Sequence, residues 1–200
     1  MDALKPLSQI CQADPLNEAF LIVNRQTEIA RPMEIADVHR RLSEISICED
    51  APEDVHRYFN SIRNLYIYGW FHYPIFSLGG TLAFTLMEMG LRIRLGYQDE
   101  KRSPGLSRLL AEAIKKELLV DQGFTAAQID EGSEPVVSAL AQSSGKPKQE
   151  YCAILLDSLP YLRNTFLHPA AYSNAGSSGA FTVLRTAAEL INQLFQVERE

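Results

Sequence analysis

The 200-residue sequence lacks paired cysteines. Its three cysteines, Cys11, Cys48 and Cys152, lie far apart and form no CxxC motif. Three cysteines in 200 residues are too few for a disulfide scaffold, and the lack of a CxxC pair offers no cysteine metal cluster. We therefore expect buried, reduced thiols, no bound metal and no cofactor.

The sequence also lacks an excess of positive charge. Its net charge of −6 argues against a surface covered in basic residues for binding duplex DNA. The charge is uneven, however, because the stretch from Arg92 to Lys116 holds seven basic and three acidic residues, a net +4 that leaves −10 elsewhere. Such a stretch is typical of a solvated helix and loop, or of a patch that faces phosphate.

A signal peptide pattern is missing at the N-terminus, which favours a cytoplasmic protein. The longest segment without charge, Asn64–Met87, has 24 residues and is long enough to span a membrane. Glycines, a histidine and Pro74 interrupt it, which favours a helical hairpin in a bundle core that bends near Tyr73 and Pro74. A membrane span is the alternative.

No long alternation of polar and apolar residues predicts a strand, and no internal repeat is present. Apolar residues instead recur at three- and four-residue steps. The sequence therefore predicts an all-α fold in which a four-helix bundle (51–200) follows a helical extension (1–50) and carries a short helical insert (about 125–141).

Several helix ends can be predicted. A helix begins after Pro52, and a long one runs over about 74–97, where Gly79 and Gly80 allow another helix to approach closely. Ser103 and Pro104 predict the start of the next helix, as N-cap and first residue. The last two helices are expected over about 149–167, where Pro160 kinks or restarts the helix, and over about 180–197.

Motifs for common enzyme chemistry are absent, since the chain has no phosphate-binding glycine loop and no HExxH. Glu88 interrupts the apolar long helix, and a buried carboxylate needs a partner. Arg92 follows at i+4, so we expect a structural ion pair that orients the bundle, with a catalytic role as the alternative.

The most informative stretch is Arg163-Asn164-Thr165-Phe166-Leu167-His168-Pro169. Asn164 and His168 share a helix face, whereas Arg163 and His168 lie roughly 140° apart around an ideal helix. Pro169 disfavours helical geometry at His168, which places the imidazole at a helix end. A guanidinium, an amide and a titratable imidazole can support phosphodiester cleavage without a metal, or can cap carbonyls and dock the last helix.

The spacing Arg163-Asn164-(three residues)-His168 resembles the Arg-polar-x(3–5)-His motif of the HEPN (higher eukaryotes and prokaryotes nucleotide-binding) superfamily. The stretch around Glu88 and Arg92 is similar to that family's early-helix pattern, and the closing helix over 181–195 follows the motif after a variable loop. The resemblance covers roughly residues 55–198 and leaves the first 50 residues unmatched.

The resemblance implies a four-helix bundle that forms a homodimer with two motifs facing each other across a cleft. It implies a metal-independent endoribonuclease, often a toxin or anti-phage effector held by an antitoxin or other partner protein. Arg163 would bind the scissile phosphate, His168 would be the general acid/base and Asn164 would assist them. A non-catalytic binding module is the alternative.

Further binding residues are expected at Glu88, Arg92 and Tyr172. One subgroup of the family carries a tyrosine two residues after the histidine, where this chain has Ala170 instead. Tyr172 is close to that position but out of register. The departure leaves membership of that subgroup open.

Overall fold

A computed structural model of the chain describes residues 4–23, 28–97, 104–128, 150–167 and 177–196. The regular elements, in chain order, are α1 (Pro15–Glu18), β1 (Leu21–Val23), β2 (Ala30–Pro32), α2 (Ile35–Ser43), α3 (Glu53–Tyr68), α4 (Ile75–Leu95), α5 (Leu106–Lys115), α6 (Tyr151–Leu167) and α7 (Ser177–Phe195). Short 3-10 helices cover Leu7–Gln9, Asp121–Gly123 and Thr125–Ala127.

The structure confirms the all-α prediction, with one small exception. Strands β1 and β2 pair antiparallel, with Ile22 opposite Arg31, and form a two-stranded sheet that the sequence did not predict. Each strand is three residues long, too short to show the alternation that identifies a strand. The extension therefore holds a hairpin as well as helices.

Helix α4 is the centre of the bundle and packs against α3, α5, α6 and α7. The predicted small residues of α4 permit this approach. A methyl group added at Gly79 would overlap the Tyr66 ring of α3, and one added at Gly80 would lie 2.5 Å from Phe166 of α6. The predicted hairpin is also confirmed, because α3 ends at Tyr68 and α4 begins at Ile75, just after Pro74.

The N-terminal extension is tied to the bundle by hydrogen bonds. The Asn17 side-chain amide donates to the backbone carbonyls of Gly69 and Trp70, at 2.8 and 2.9 Å. Further along the chain, Asn192 of α7 accepts from the backbone N–H of Cys48 at 2.6 Å. These contacts hold the extension against the α3–α4 turn at one end and against α7 at the other.

Some helix boundaries differ from the predictions. Helix α5 begins at Leu106 with Gly105 as N-cap, two residues beyond the expected start at Pro104, and Ser103 lies outside the described residues. Helix α6 continues through Pro160 without restarting. Of the expected helical insert, the structure shows only the 3-10 turn Thr125–Ala127, since residues 129–149 lie outside the described ranges.

Within the described ranges, no helix combines the length and apolarity that crossing a membrane requires, so the membrane-span alternative gains no support. The prediction of buried thiols is right only in part. Cys152 is buried and Cys48 is half-buried, but Cys11 is exposed because the short segment that carries it lies at the surface.

Candidate functional site

The predicted motif begins near the C-terminal end of α6, where Arg163 and Asn164 occupy neighbouring positions. Phe166, one turn further on, is buried against Phe84 of α4 with ring centroids 5.7 Å apart, and its ring also lies against Gly80. This packing fixes the last turns of α6 on α4. Arg163 and Asn164 are thereby carried on a rigid element.

Arg163 is held by a buried carboxylate of α4. Its Nε lies 2.6 Å from Glu88 Oε1, and the Arg163 side chain is 38% exposed whereas that of Glu88 is 9% exposed. The closest contact between the two groups is made by Nε, and Glu88 Oε1 accepts no hydrogen bond from the described residues. The two terminal nitrogens of Arg163 have no hydrogen bond or ion pair to any other described residue. Glu88 therefore holds the guanidinium by charge attraction, and the partly exposed Arg163 side chain keeps N–H donors that make no hydrogen bond to a described residue.

Glu88 also contacts Arg92, whose Nη2 lies 3.1 Å from Oε2. The ion pair predicted from the i+4 spacing is confirmed, and the structure adds Arg163 as a second partner. One carboxylate therefore joins two guanidinium groups, and the cluster keeps a formal charge of +1. The sequence could not show this bridge, since Glu88 and Arg163 lie on different helices and no spacing rule relates them.

The remaining predicted residues are placed only in part. Asn164 is exposed and its amide makes no hydrogen bond to another described residue, so it is accessible to a ligand. His168 and Tyr172 lie outside the described residues. The structure therefore brings together Arg163, Glu88 and Arg92, and places Asn164 beside them.

Other potentially reactive groups are unsuited to catalysis. Burial, together with a hydrogen bond to Asp121, raises the pKa of the Cys152 thiol to about 12, which keeps it protonated and poorly nucleophilic at neutral pH. Burial also raises the pKa of Tyr151 to about 12. Asp121 instead has a structural role, because it accepts the backbone N–H groups of Tyr151 and Cys152, each at 2.8 Å, and so caps α6.

No three His, Cys, Asp or Glu side chains in the described parts of the chain come together as metal ligands. Comparisons with protein-family models, with curated proteins and with solved structures found no match.

Proposed function

We propose that the chain is a metal-independent endoribonuclease of the HEPN type. The observation that carries the proposal is the partly exposed guanidinium of Arg163, which Glu88 holds in an ion pair while its terminal nitrogens make no hydrogen bond to another described residue. Two parallel donors of this kind match the geometry of a phosphate. Asn164 lies exposed beside it, and the motif is completed in the sequence by His168.

The reaction that these groups support is transesterification at phosphorus. The ribose 2′-OH attacks the adjacent phosphate, a general base takes its proton, and the P–O5′ bond breaks as the leaving oxygen accepts a proton. The products are a 2′,3′-cyclic phosphate and a 5′-OH end. His168 carries the proton transfers, and Arg163 stabilises the charge that builds on the phosphate oxygens. Asn164 orients the phosphate or the imidazole.

A homodimer would supply two such motifs to one cleft, which explains how a single acid/base residue per chain serves both proton transfers. The resemblance also favours a cytoplasmic toxin or anti-phage effector that an antitoxin or other partner protein restrains. Induced expression of the wild-type chain should then arrest growth, whereas expression of the His168→Ala variant should not.

The test is cleavage of single-stranded RNA in excess EDTA by the wild type, His168→Ala and Arg163→Gln. We expect each variant to lose a factor of about 10²–10⁴ in rate, the usual contribution of a positioned acid/base group. Arg57→Gln is the matched control, since Arg57 is an exposed arginine that pairs with Glu53 at 2.9 Å on the surface of α3. Equal cleavage by wild type and His168→Ala would refute the proposal.

The second candidate is a non-catalytic dimeric module that binds a nucleotide or a partner protein through the same residues. It is favoured by the pairing of Arg163 with Glu88, since the carboxylate offsets part of the charge that a catalytic arginine would bring to phosphate. Folded, dimeric wild-type protein that binds RNA and leaves it uncut would support this candidate. Light scattering on protein eluting from a size-exclusion column measures its molar mass and so shows whether it is a dimer.

A further inference from the structure

Arg41, near the end of α2, stacks on an aromatic ring of α7. Its Cζ lies 4.2 Å from the centroid of the Phe181 ring. Phe181 is itself buried and packs against the rings of Tyr66 and Phe76, at 5.4 and 5.8 Å between centroids. The guanidinium is therefore seated on a fixed ring, a favourable cation–π geometry that limits its motion.

Arg185 lies one helical turn beyond Phe181 on α7 and is exposed. Residues at i and i+4 share a helix face, and helical side chains lean toward the N-terminus, so Arg185 extends toward the ring that carries Arg41. Burial lowers the pKa of Arg41, and repulsion by Arg185 lowers it further. The guanidinium groups of Arg41, from α2, and Arg185, from α7, thus lie on the same side of α7 as the Phe181 ring.

Two other pairs of arginines each meet around one carboxylate. Asp37 lies 2.6 Å from both Arg31 and Arg40, and Glu88 joins Arg92 to Arg163. In the described ranges, by contrast, no carboxylate comes within 4.0 Å of Arg41 or Arg185. Glu44, the C-cap residue just after α2, attracts Arg41 without forming an ion pair. The third arginine pair lacks the anion that the other two have.

Two neighbouring stretches of the sequence contain no acidic residue. Neither the stretch 158–188, which holds the end of α6 and the start of α7, nor the stretch 64–87 contains Asp or Glu. Asp14, which lies near the α3–α4 turn, is engaged with the backbone N–H of Tyr73 at 2.8 Å. Glu189, one turn beyond Arg185 on α7, accepts from the backbone N–H of Thr125 at 3.3 Å and forms no ion pair with Arg185. Within the described residues no carboxylate joins Arg41 to Arg185, so the position is open to an anion from outside the chain.

We propose that Arg41 and Arg185 bind a backbone phosphate of the same RNA strand whose scissile phosphate faces Arg163. This inference rests on the proposed function. A backbone phosphate is favoured over a free anion because one RNA strand can bind at Arg163 and at the Arg41–Arg185 pair at the same time. Phe166 of α6 and Tyr66, which contacts Phe181, pack on the adjacent glycines Gly80 and Gly79 of α4. The end of α6 and the start of α7 therefore meet the same turns of α4.

The proposal assigns a function to the N-terminal extension. Arg41 belongs to α2, outside the bundle, whereas Arg185 belongs to its last helix. The phosphate would bridge the two parts of the chain at the surface where α2 meets α7. RNA binding by residues 51–200 alone would therefore lack one of the two guanidinium groups.

The experiment measures binding of a fluorescent single-stranded 2′-O-methyl oligoribonucleotide, which cannot be cleaved by 2′-OH attack, by anisotropy over a series of salt concentrations. For a single strand, each phosphate contact adds about 0.7 to the slope of log K against log salt. The double variant Arg41→Gln/Arg185→Gln should lower the slope by about 0.7. At 0.1 M salt this corresponds to binding that is about fivefold weaker.

The two single variants should be non-additive, because both arginines bind one phosphate. Arg57→Gln, in which an exposed arginine is lost from α3, should leave the slope unchanged. Arg185→Gln keeps the stacked Arg41 in place, so it remains informative if Arg41→Gln unfolds in a thermal melt. An unchanged slope in folded Arg185→Gln and in the double variant would overturn the proposal.

The outcomes separate this inference from the proposed function. Wild-type protein that cleaves RNA, with binding unaffected by the Arg41 and Arg185 variants, overturns the phosphate site alone. Protein that never cleaves, yet shows the lowered slope in the double variant, supports the site and refutes the nuclease. Displacement of the oligonucleotide by AMP at low concentration would indicate a free nucleotide rather than a strand and would overturn the inference.

Discussion

The Glu88→Gln substitution is the sharpest test of how the candidate site is built. It keeps the shape of the side chain but removes the charge that joins Arg92 to Arg163, so the two guanidinium groups would face each other without a carboxylate. The Glu88 side chain is 9% exposed, whereas Arg92 and Arg163 are 25% and 38% exposed. Water can therefore reach both arginines and reduce the cost of separating them from the carboxylate.

The magnitude follows from these exposures. Breaking a fully buried ion pair by removing one partner costs about 3–5 kcal/mol, and an exposed pair contributes about 0–1 kcal/mol. The cluster lies between these limits and nearer the buried one, so we expect a loss of about 2–3 kcal/mol. For a chain of this size the melting temperature should fall by roughly 5–10 °C.

The assay is urea unfolding followed by circular dichroism, with Glu53→Gln as the matched control. Glu53 pairs with Arg57 at 2.9 Å with the same i,i+4 spacing, but its side chain is 87% exposed, so its loss should cost less than about 0.5 kcal/mol. The double variant Glu88→Gln/Arg163→Gln should recover part of the loss. Equal destabilisation by Glu88→Gln and Glu53→Gln would show that the cluster does not organise the bundle.

Substitutions at two further positions, Gly80 beside Phe166 and Asp121 at the start of α6, test how α6 is held in place. Gly80→Ala should destabilise the protein by about 1–3 kcal/mol in urea unfolding, because the new methyl group would lie 2.5 Å from Phe166. Gly179→Ala is the control: no atom lies within 4 Å of its new methyl group, so it should stabilise α7 by up to about 1 kcal/mol. Equal effects of the two substitutions would contradict the close approach of α6 to α4. Asp121→Ala should cost about 1–2 kcal/mol through loss of the α6 cap. Partial burial raises the pKa of Asp121, but hydrogen bonds from the backbone of α6 outweigh it and hold the pKa below its ordinary value. The contribution of Asp121 to stability is therefore complete above the unfolded pKa of about 4 and is lost as the pH falls through the folded pKa. A wild-type advantage that grew on acidification would contradict this sign.

The elements that could be predicted are those whose signal is local. Helix α4 follows from its apolar length, from Pro74 just before it and from the small residues that admit α3 and α6. The Glu88–Arg92 ion pair follows from one helical turn of spacing. In each case the information lies within a few residues of the feature, which is the range over which a single sequence is informative.

The features that could not be predicted depend on contacts between distant parts of the chain. The β1–β2 hairpin leaves Leu21, Val23 and Ile29 exposed, so no buried alternating face reveals it. Helix α5 begins at Leu106 after the N-cap Gly105, which offers no capping side chain, whereas Ser103 and Pro104 predicted an earlier start. The bridge from Glu88 to Arg163 and the stacking of Arg41 on Phe181 each join separate helices, and only the packing of those helices creates them.

The packing also changes what the net charge of −6 implies. A total charge predicts repulsion of RNA only if the acidic groups are distributed where RNA would bind. Asp37 and Glu88 are each paired with two arginines, so both local clusters carry a positive charge. The stretches 64–87 and 158–188 contain no acidic residue. The acidic residues therefore lie elsewhere in the sequence, and the net charge of −6 does not by itself argue against RNA binding at Arg163.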